Sequence, residues 1–91
     1  MPDMGKSIGT SEQKRLLELL RRIRLDAGLR QVDLAERLGQ PQSFVSKYES
    51  GERRLDLLEL REICNAVGIS LAKFVRMFER ESDAAMRKSK P

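Results

Sequence analysis

The sequence predicts an all-α fold, a compact bundle of five short helices. Apolar residues recur at three- and four-residue spacing along most of the chain, which is typical of helices that bury one face. Glycines divide this pattern into five segments, and a glycine at a helix end can take the left-handed conformation that terminates the helix. No segment alternates polar and apolar residues as a half-buried strand does. With 91 residues, the chain corresponds to one small domain.

The glycines and the apolar spacing together set the bounds of each segment. The predicted helices span 11–27, 31–38, 41–50, 57–67 and 71–80, in chain order. The residues expected to end the first four helices are Gly28, Gly39, Gly51 and Gly68. Residues 1–9 are predicted to form a flexible arm, 10–80 the folded domain, and 81–91 a tail that either frays or extends helix five.

Three helix starts carry recognisable signals. Thr10 and Gln13 have the spacing of a capping box at the start of helix one. Asp56 and Glu59 have the same spacing before helix four. Pro41 suits the first turn of helix three, where its missing N–H is not needed. The residues of helix five that are predicted to face inward are Leu71, Phe74, Val75 and Phe78.

The charge of the chain favours an anionic partner without identifying it. The net charge is +4 and the pI is about 9.6. Residues 11–54 hold ten basic and seven acidic side chains, so a net excess of three positive charges lies in the first half. A nucleic acid is one candidate partner, and a charged face that only serves solubility is the alternative.

The composition argues against several other classes of protein. No long apolar run and no signal-peptide pattern are present, so we expect a cytoplasmic protein without a membrane segment. No histidine and a single cysteine, Cys64, leave no internal disulfide and no plausible zinc site, and we expect no cofactor. An enzyme is disfavoured, since the chain has neither a glycine-rich phosphate loop nor an evident cluster of convergent carboxylates.

The informative stretch is 31–51, QVDLAERLGQPQSFVSKYESG, which predicts two short helices joined by a turn at Gly39. The small Ala35 is predicted to lie where the two helices cross, because a larger side chain at that point would hold the helices apart. Val45 can pack back onto that point and hold helix three at a fixed angle. The opposite face of helix three would then point outward.

The outward face of helix three carries side chains that suit the DNA major groove. Each base pair shows a distinct pattern of donors and acceptors there, and glutamine, lysine and serine can read it. The predicted base-reading residues are Gln42, Ser43, Ser46 and Lys47. The predicted phosphate contacts are Arg24, Arg30, Gln31, Tyr48, Arg53 and Arg54. For Tyr48 a core position is the alternative, and for Arg53 and Arg54 the alternative is simple solubility.

The region from Leu16 to Phe78 resembles the helix-turn-helix domain of the Cro/C1-type, xenobiotic-response-element family of transcriptional regulators. The resemblance rests on Leu20, Arg24, Gly28, Leu29, Gln31, Leu34, Ala35, Gly39, Val45, Ser46, Tyr48, Glu49, Gly51, Leu60, Val67 and the segment Gly68-Ile69-Ser70-Leu71. It implies a five-helix bundle of the lambda-repressor-like type with helix three as the reader. The function it implies is sequence-specific binding of double-stranded DNA, as a repressor or similar regulator.

The resemblance also implies roles for individual residues. Gln31 matches a glutamine that touches phosphate and braces the first reading residue, here Gln42. Glu49 matches a structural acid that is tied to a basic side chain or a backbone amide. Arg30 and Leu55 depart from the family pattern, in which a serine or threonine caps helix two and a proline precedes helix four. We therefore expect a weaker cap on helix two, with Arg30 free to grip phosphate.

Two hypotheses for the biological role follow. In the first, the chain is a homodimer that represses transcription from a palindromic operator. The predicted dimer interface is formed by Lys73, Val75, Met77, Phe78 and Arg80. In the second, the chain is an antitoxin-like module that binds a partner protein and regulates its own promoter, with the basic tail as an interaction segment.

Overall fold

A computed structural model of the chain describes residues 11–89. This part of the chain forms five α-helices and no strand, which confirms the predicted all-α fold. The helices are α1 (Ser11–Asp26), α2 (Gln31–Leu38), α3 (Gln42–Glu49), α4 (Leu57–Val67) and α5 (Leu71–Ser89). Within the described range, no helix combines the length and the apolar character that a membrane crossing requires.

The helix bounds agree with the sequence pattern except at four ends: the last residue of α1, the first and last residues of α3, and the last residue of α5. Both α2 and α4 have the predicted bounds, while α1 stops one residue short of its prediction. Pro41 is not in the first turn of α3 as predicted; it is the N-cap residue, with the extended backbone angles φ −69° and ψ 156°. The position is still suited to proline, because an N-cap residue needs no helical N–H of its own. Thr10 of the predicted capping box lies outside the described residues.

The capping box before α4 is present as predicted. The amide N–H of Glu59 donates to the Asp56 carboxylate at 2.7 Å, and the amide N–H of Asp56 donates to the Glu59 carboxylate at 3.0 Å. Two N–H groups that the helix leaves without intrahelical partners are thereby satisfied. This reciprocal pair fixes where the loop after α3 ends.

The core forms where the inner faces of all five helices meet. Its fully buried members include Leu19, Leu20, Leu34, Ala35, Val45, Tyr48, Ile63, Cys64 and Phe74. Ala35 of α2 and Val45 of α3 both belong to this cluster, as predicted for the crossing of the two helices. Burial raises the pKa of the Cys64 thiol to about 11, so the side chain stays protonated and packs as a small apolar group.

Helix α5 extends nine residues beyond its predicted end at Arg80, as far as Ser89. The extension packs against α1. Arg22 of α1 donates to Glu81 at 2.6 Å, and Ser82, the next residue, is buried. Residues 81–89 therefore extend helix five, which was one of the two alternatives for this segment. Val75 was predicted to face inward, and this is wrong: it is 41% exposed, because Phe74 takes the buried position beside it.

Two glycines close the turns that flank the reading helix. Gly39 has φ +66°, and the next amide, that of Gln40, donates to the carbonyl of Ala35 at 2.9 Å and so ends α2. Gly51 has φ +86° and follows α3. A methyl group at position 51 would lie 3.1 Å from Cδ1 of Leu17, whereas one at position 39 would meet nothing within 4 Å.

Alanine at position 51 should therefore destabilise the fold more than alanine at position 39. Gly39→Ala should lower the free energy of unfolding by about 1 kcal/mol, the cost of a left-handed backbone alone. Gly51→Ala should cost more, because the same backbone strain is joined by crowding against Leu17. Urea unfolding of both variants measures this. In a Leu17→Ala background the excess should disappear, and equal losses in the wild-type background would contradict the assignment.

Candidate DNA interface

Burial of one side of α3 determines which residues the helix presents outward. Val45 and Tyr48 have no exposed surface, and both point into the core. Because an α-helix repeats every 3.6 residues, the opposite side is centred on position 43, with 46 and 47 beside it and 42 at its edge. Gln42, Ser43 and Lys47 are all exposed there, as the base-reading prediction requires. Lys47 forms no ion pair with any other described residue.

Ser46, the fourth predicted reading residue, is placed differently from the other three. It is half-buried, and its Oγ donates to the backbone carbonyl of Ser43 at 3.3 Å. Back-bonding of this kind is common for serine within a helix. Its hydroxyl therefore faces the helix backbone rather than solvent.

The first of the predicted reading residues, Gln42, is held by a glutamine of the preceding helix. Nε2 of Gln42 donates to Oε1 of Gln31 at 2.7 Å. Nε2 of Gln31 in turn donates to Oε1 of Glu49 at 3.0 Å. The brace between Gln31 and Gln42 that the family resemblance implied is therefore present. It connects the start of α2 with both ends of α3.

Glu49 is tied to a basic side chain, as the resemblance implied, and that side chain is Arg24. Nε and Nη2 of Arg24 donate to the two carboxylate oxygens of Glu49 at 2.7 and 3.0 Å. Nη1 of Arg24 donates to the carbonyl of Leu29 at 2.9 Å. The hydrogen bonds to Glu49 raise the pKa of Arg24 above its ordinary value.

This geometry corrects the prediction that Arg24 contacts phosphate. Arg24 is only 5% exposed, and each of its three nitrogens already has a partner inside the protein. The sequence showed a cation near the motif but not its partner, which lies 25 residues further along the chain. The pair joins α1 to the end of α3.

Tyr48 is likewise internal, so its predicted phosphate contact is also corrected. Its ring packs edge-on against Phe44, with 5.5 Å between the ring centroids. Its hydroxyl is buried and has no hydrogen-bond partner among the described residues. Burial raises the pKa of this hydroxyl, so it remains protonated. The core position, which was the alternative for Tyr48, is the one that the structure shows.

Of the remaining predicted phosphate contacts, Gln31 is half-buried between Glu49 and Gln42. The three arginines are exposed, but two of them already face carboxylates. Arg30 donates to Asp33 at 2.9 and 3.0 Å. Arg53 donates to Glu59 at 2.8 Å, and its guanidinium lies 4.7 Å from the ring centre of Phe44. The hydrogen bond from Arg53 is the main reason why the pKa of Glu59 is lowered. Arg54 is exposed and forms no ion pair with any described residue.

Arg30 also explains how α2 begins without a serine or threonine. An arginine side chain has no acceptor, so it cannot cap the helix itself. Instead, the Asp33 carboxylate accepts the Arg30 backbone N–H at 2.8 Å and binds its guanidinium as well. These hydrogen bonds lower the pKa of Asp33 to about 2, so its charge persists in all but strong acid. Asp33 thus supplies one half of a capping box, while Arg30 makes no side-chain cap to the helix.

These elements define a class of protein. Two short helices joined by a glycine turn, with the second held so that its polar face is exposed, form a helix-turn-helix, a DNA-binding unit. The helix-turn-helix family model matches residues 20–74. The chain therefore belongs to the Cro/C1-type helix-turn-helix family of DNA-binding transcriptional regulators, also known as the XRE family.

Comparisons with solved structures agree. An XRE-family like protein from Pseudomonas syringae pv. tomato str. DC3000 is 40% identical, with a TM-score of 0.77 over 88% of this chain and 98% of that chain. The restriction-modification controller protein C.Esp1396I, solved as a tetramer with its natural 35-base-pair operator, is 25% identical, with a TM-score of 0.71 over 79% of this chain and 95% of that chain. The clp gene regulator ClgR from Corynebacterium glutamicum is 25% identical, with a TM-score of 0.69 over 85% and 84%. A search of curated protein sequences gave no match.

Removal of the Tyr48 hydroxyl should leave DNA binding unchanged and should not weaken the fold. Tyr48→Phe deletes a buried polar group that has no partner among the described residues, so the free energy of unfolding should stay the same or rise by about 1 kcal/mol. Urea unfolding and a DNA-binding titration measure the two quantities. Arg54→Ala is the matched comparison, since it should lower affinity without changing stability. Weaker DNA binding by a stably folded Tyr48→Phe variant would support the original prediction that the Tyr48 hydroxyl contacts phosphate.

Proposed function

We propose that the protein is a homodimeric repressor that reads a palindromic operator by placing α3 of each protomer in the major groove. The observation that carries this proposal is the exposed polar face of α3, with Gln42 held in position by Gln31. An α-helix fits the major groove, and reading side chains near its N-terminal end reach the base edges. Gln42 and Ser43 are the first two residues of α3.

The reading residues differ in the bases that they suit. The Gln42 amide can donate to N7 and accept from the N6 amino group of adenine. The Lys47 ammonium, which has only donors, suits the N7 and O6 acceptors of guanine. The Ser43 hydroxyl both donates and accepts, so it suits more than one base. Ser46 contributes after its hydroxyl turns away from the Ser43 carbonyl.

Phosphate contacts would surround the reading helix. Arg54 follows α3, and its charge is not paired within the described structure. Gln31 begins α2, where backbone N–H groups and the helix dipole favour an anion. Arg30 and Arg53 are exposed, and a phosphate would compete with Asp33 and Glu59 for them. Contacts of this kind set the register and supply salt-dependent affinity.

A second protomer is needed because a single domain of this size reads only a few base pairs. We place the dimer interface on α5, whose exposed residues include Lys73, Val75 and Arg80. Met77 and Phe78 are half-buried against the core, between Val75 on one side of α5 and Lys73 and Arg80 on the other. The C.Esp1396I controller protein is a tetramer on its operator, which supports assembly of several copies on DNA. Repression of chromosomal genes would place the protein in the bacterial cytoplasm.

Lys47→Ala should relax base preference at one operator position, whereas Arg54→Ala should weaken binding to all sequences about equally. A base-contacting side chain carries discrimination of about 1–3 kcal/mol, and a phosphate contact carries a salt-dependence slope of about 1. Selection of bound sequences from a random DNA pool, followed by salt titrations on the selected site, measures both. Arg21→Ala removes an exposed cation on α1 and serves as the control. Wild-type binding without sequence preference or salt dependence would refute the proposed function.

Val75→Glu should convert the dimer to a monomer. Val75 is an exposed apolar residue on the proposed interface, and burial of a carboxylate there would oppose association. Sedimentation velocity measures the change. Leu58→Glu is the control, because Leu58 is 62% exposed on α4, outside the proposed interface. A dimer that survives Val75→Glu, or one that Leu58→Glu dissociates, would move the interface away from α5.

A further inference from the structure

The buried ion pair beneath the reading helix has a consequence for the operator sequence, and this inference rests on the proposed function. We propose that Glu49 is a specificity-determining residue. Through Gln31 it fixes the orientation of the Gln42 side-chain amide, so that Gln42 selects adenine over guanine. Glu49 itself touches no base and acts as a positioning residue.

Four side chains form one continuous hydrogen-bonded chain from the core to the DNA-facing surface. Arg24 donates to both oxygens of Glu49, at 2.7 and 3.0 Å. Gln31 donates to Oε1 of Glu49 at 3.0 Å, and Gln42 donates to Oε1 of Gln31 at 2.7 Å. From the surface inward, Gln42 donates to Gln31 and Gln31 donates to Glu49. From the core side, Arg24 donates to the same carboxylate.

The carboxylate sets the direction of the first of these bonds. An ionised carboxylate has only acceptors, so Gln31 must present its NH₂ group to Glu49. The Gln31 carbonyl oxygen is the atom that faces Gln42, at 2.7 Å, and Gln42 can meet an oxygen only by donating. A neutral or apolar group in place of Glu49 would leave both amides free to turn over.

The pair is well placed to hold this orientation. The side chains of Arg24 and Glu49 are each only 6% exposed, so water competes little for the Glu49 oxygens. Arg24 is anchored a second time, by the Leu29 carbonyl at 2.9 Å. Neither partner can swing away without leaving a buried charge unpaired, which is strongly unfavourable.

The consequence for base selection appears at Gln42, the exposed end of the hydrogen-bonded chain. A free glutamine amide has two N–H donors, which can bond N7 and O6 of guanine, or it can use one donor and its oxygen to bond adenine. One N–H of Gln42 is already used by Gln31. The amide therefore meets a base with one donor and one acceptor. That pattern matches N7 and the N6 amino group of adenine, whereas guanine would set its O6 against the Gln42 oxygen.

The test compares the affinity for two operators that carry adenine or guanine at the position that Gln42 reads. That position is the one at which Gln42→Ala abolishes the base preference in a random-pool selection. Wild-type protein should prefer adenine by about tenfold or more. The double variant Arg24→Met/Glu49→Met removes the charge but keeps buried volume, an exchange that proteins often tolerate. It should reduce the preference to about twofold.

Two further variants keep the test decisive if the double variant unfolds, which thermal melting followed by circular dichroism would reveal. Glu49→Asp keeps a carboxylate beside Arg24 but withdraws it from Gln31, and it should also reduce the preference. Gln31→Met breaks the chain at its middle and should do the same. The control is Arg22→Met/Glu81→Met, which removes an exposed pair between α1 and α5 and should leave the preference unchanged.

The outcomes separate this inference from the proposed function. If Gln42→Ala changes the preference at no position, the reading role of α3 fails. If Gln42 reads a base but wild-type protein favours guanine there, the orientation argument is overturned while the regulator assignment stands. It is also overturned if Gln31→Met lowers the preference and folded variants at Glu49 do not, since the ion pair would then be structural only.

Discussion

Complete burial of Val45 and Tyr48 fixes the rotation of α3 about its own axis, and most of the functional geometry depends on it. Two anchors three residues apart lie on one side of a helix, so Ser43, Ser46 and Lys47 must lie on the opposite side. Ala35, buried on α2, allows the close crossing that brings Val45 into the core.

The ion pairs of the protein perform different tasks according to their exposure. Arg24 and Glu49 are buried together and link α1 to the end of α3, so the strength of this contact is tied to the fold. The pairs of Arg30 with Asp33 and of Arg53 with Glu59 are largely exposed, and such pairs contribute little to stability. What the exposed pairs change is the local charge. They neutralise two arginines beside the reading helix, so the field that a DNA phosphate meets there is weaker than the count of basic residues indicates.

Sequence reasoning succeeded where local signals decide the structure. The ends of α2 and α4 are set by glycines in the left-handed conformation, and the start of α4 by Asp56 and Glu59, which are close in the chain. Sequence reasoning failed where the residue that decides a contact is distant in the chain. The charge of Arg24 was visible, but not that Glu49 lies beside it. The continuation of α5 brings Glu81 to Arg22 of α1 and buries Ser82, and small or charged residues after Arg80 carry no apolar pattern that predicts these contacts.

The exposed polar residues of α3 therefore differ in how they are connected to the core. Gln42 lies at the end of a hydrogen-bonded chain that reaches Arg24, so a change in its chemistry disturbs contacts that extend to α1. Ser43 and Lys47 are exposed on the same face, and the ion pairs of the described structure do not involve Lys47. Under the proposed function, substitution at 43 or 47 would alter the bases that are read without altering what holds the helix. Position 42 would carry both constraints at once, because the orientation of its amide is set from inside the protein.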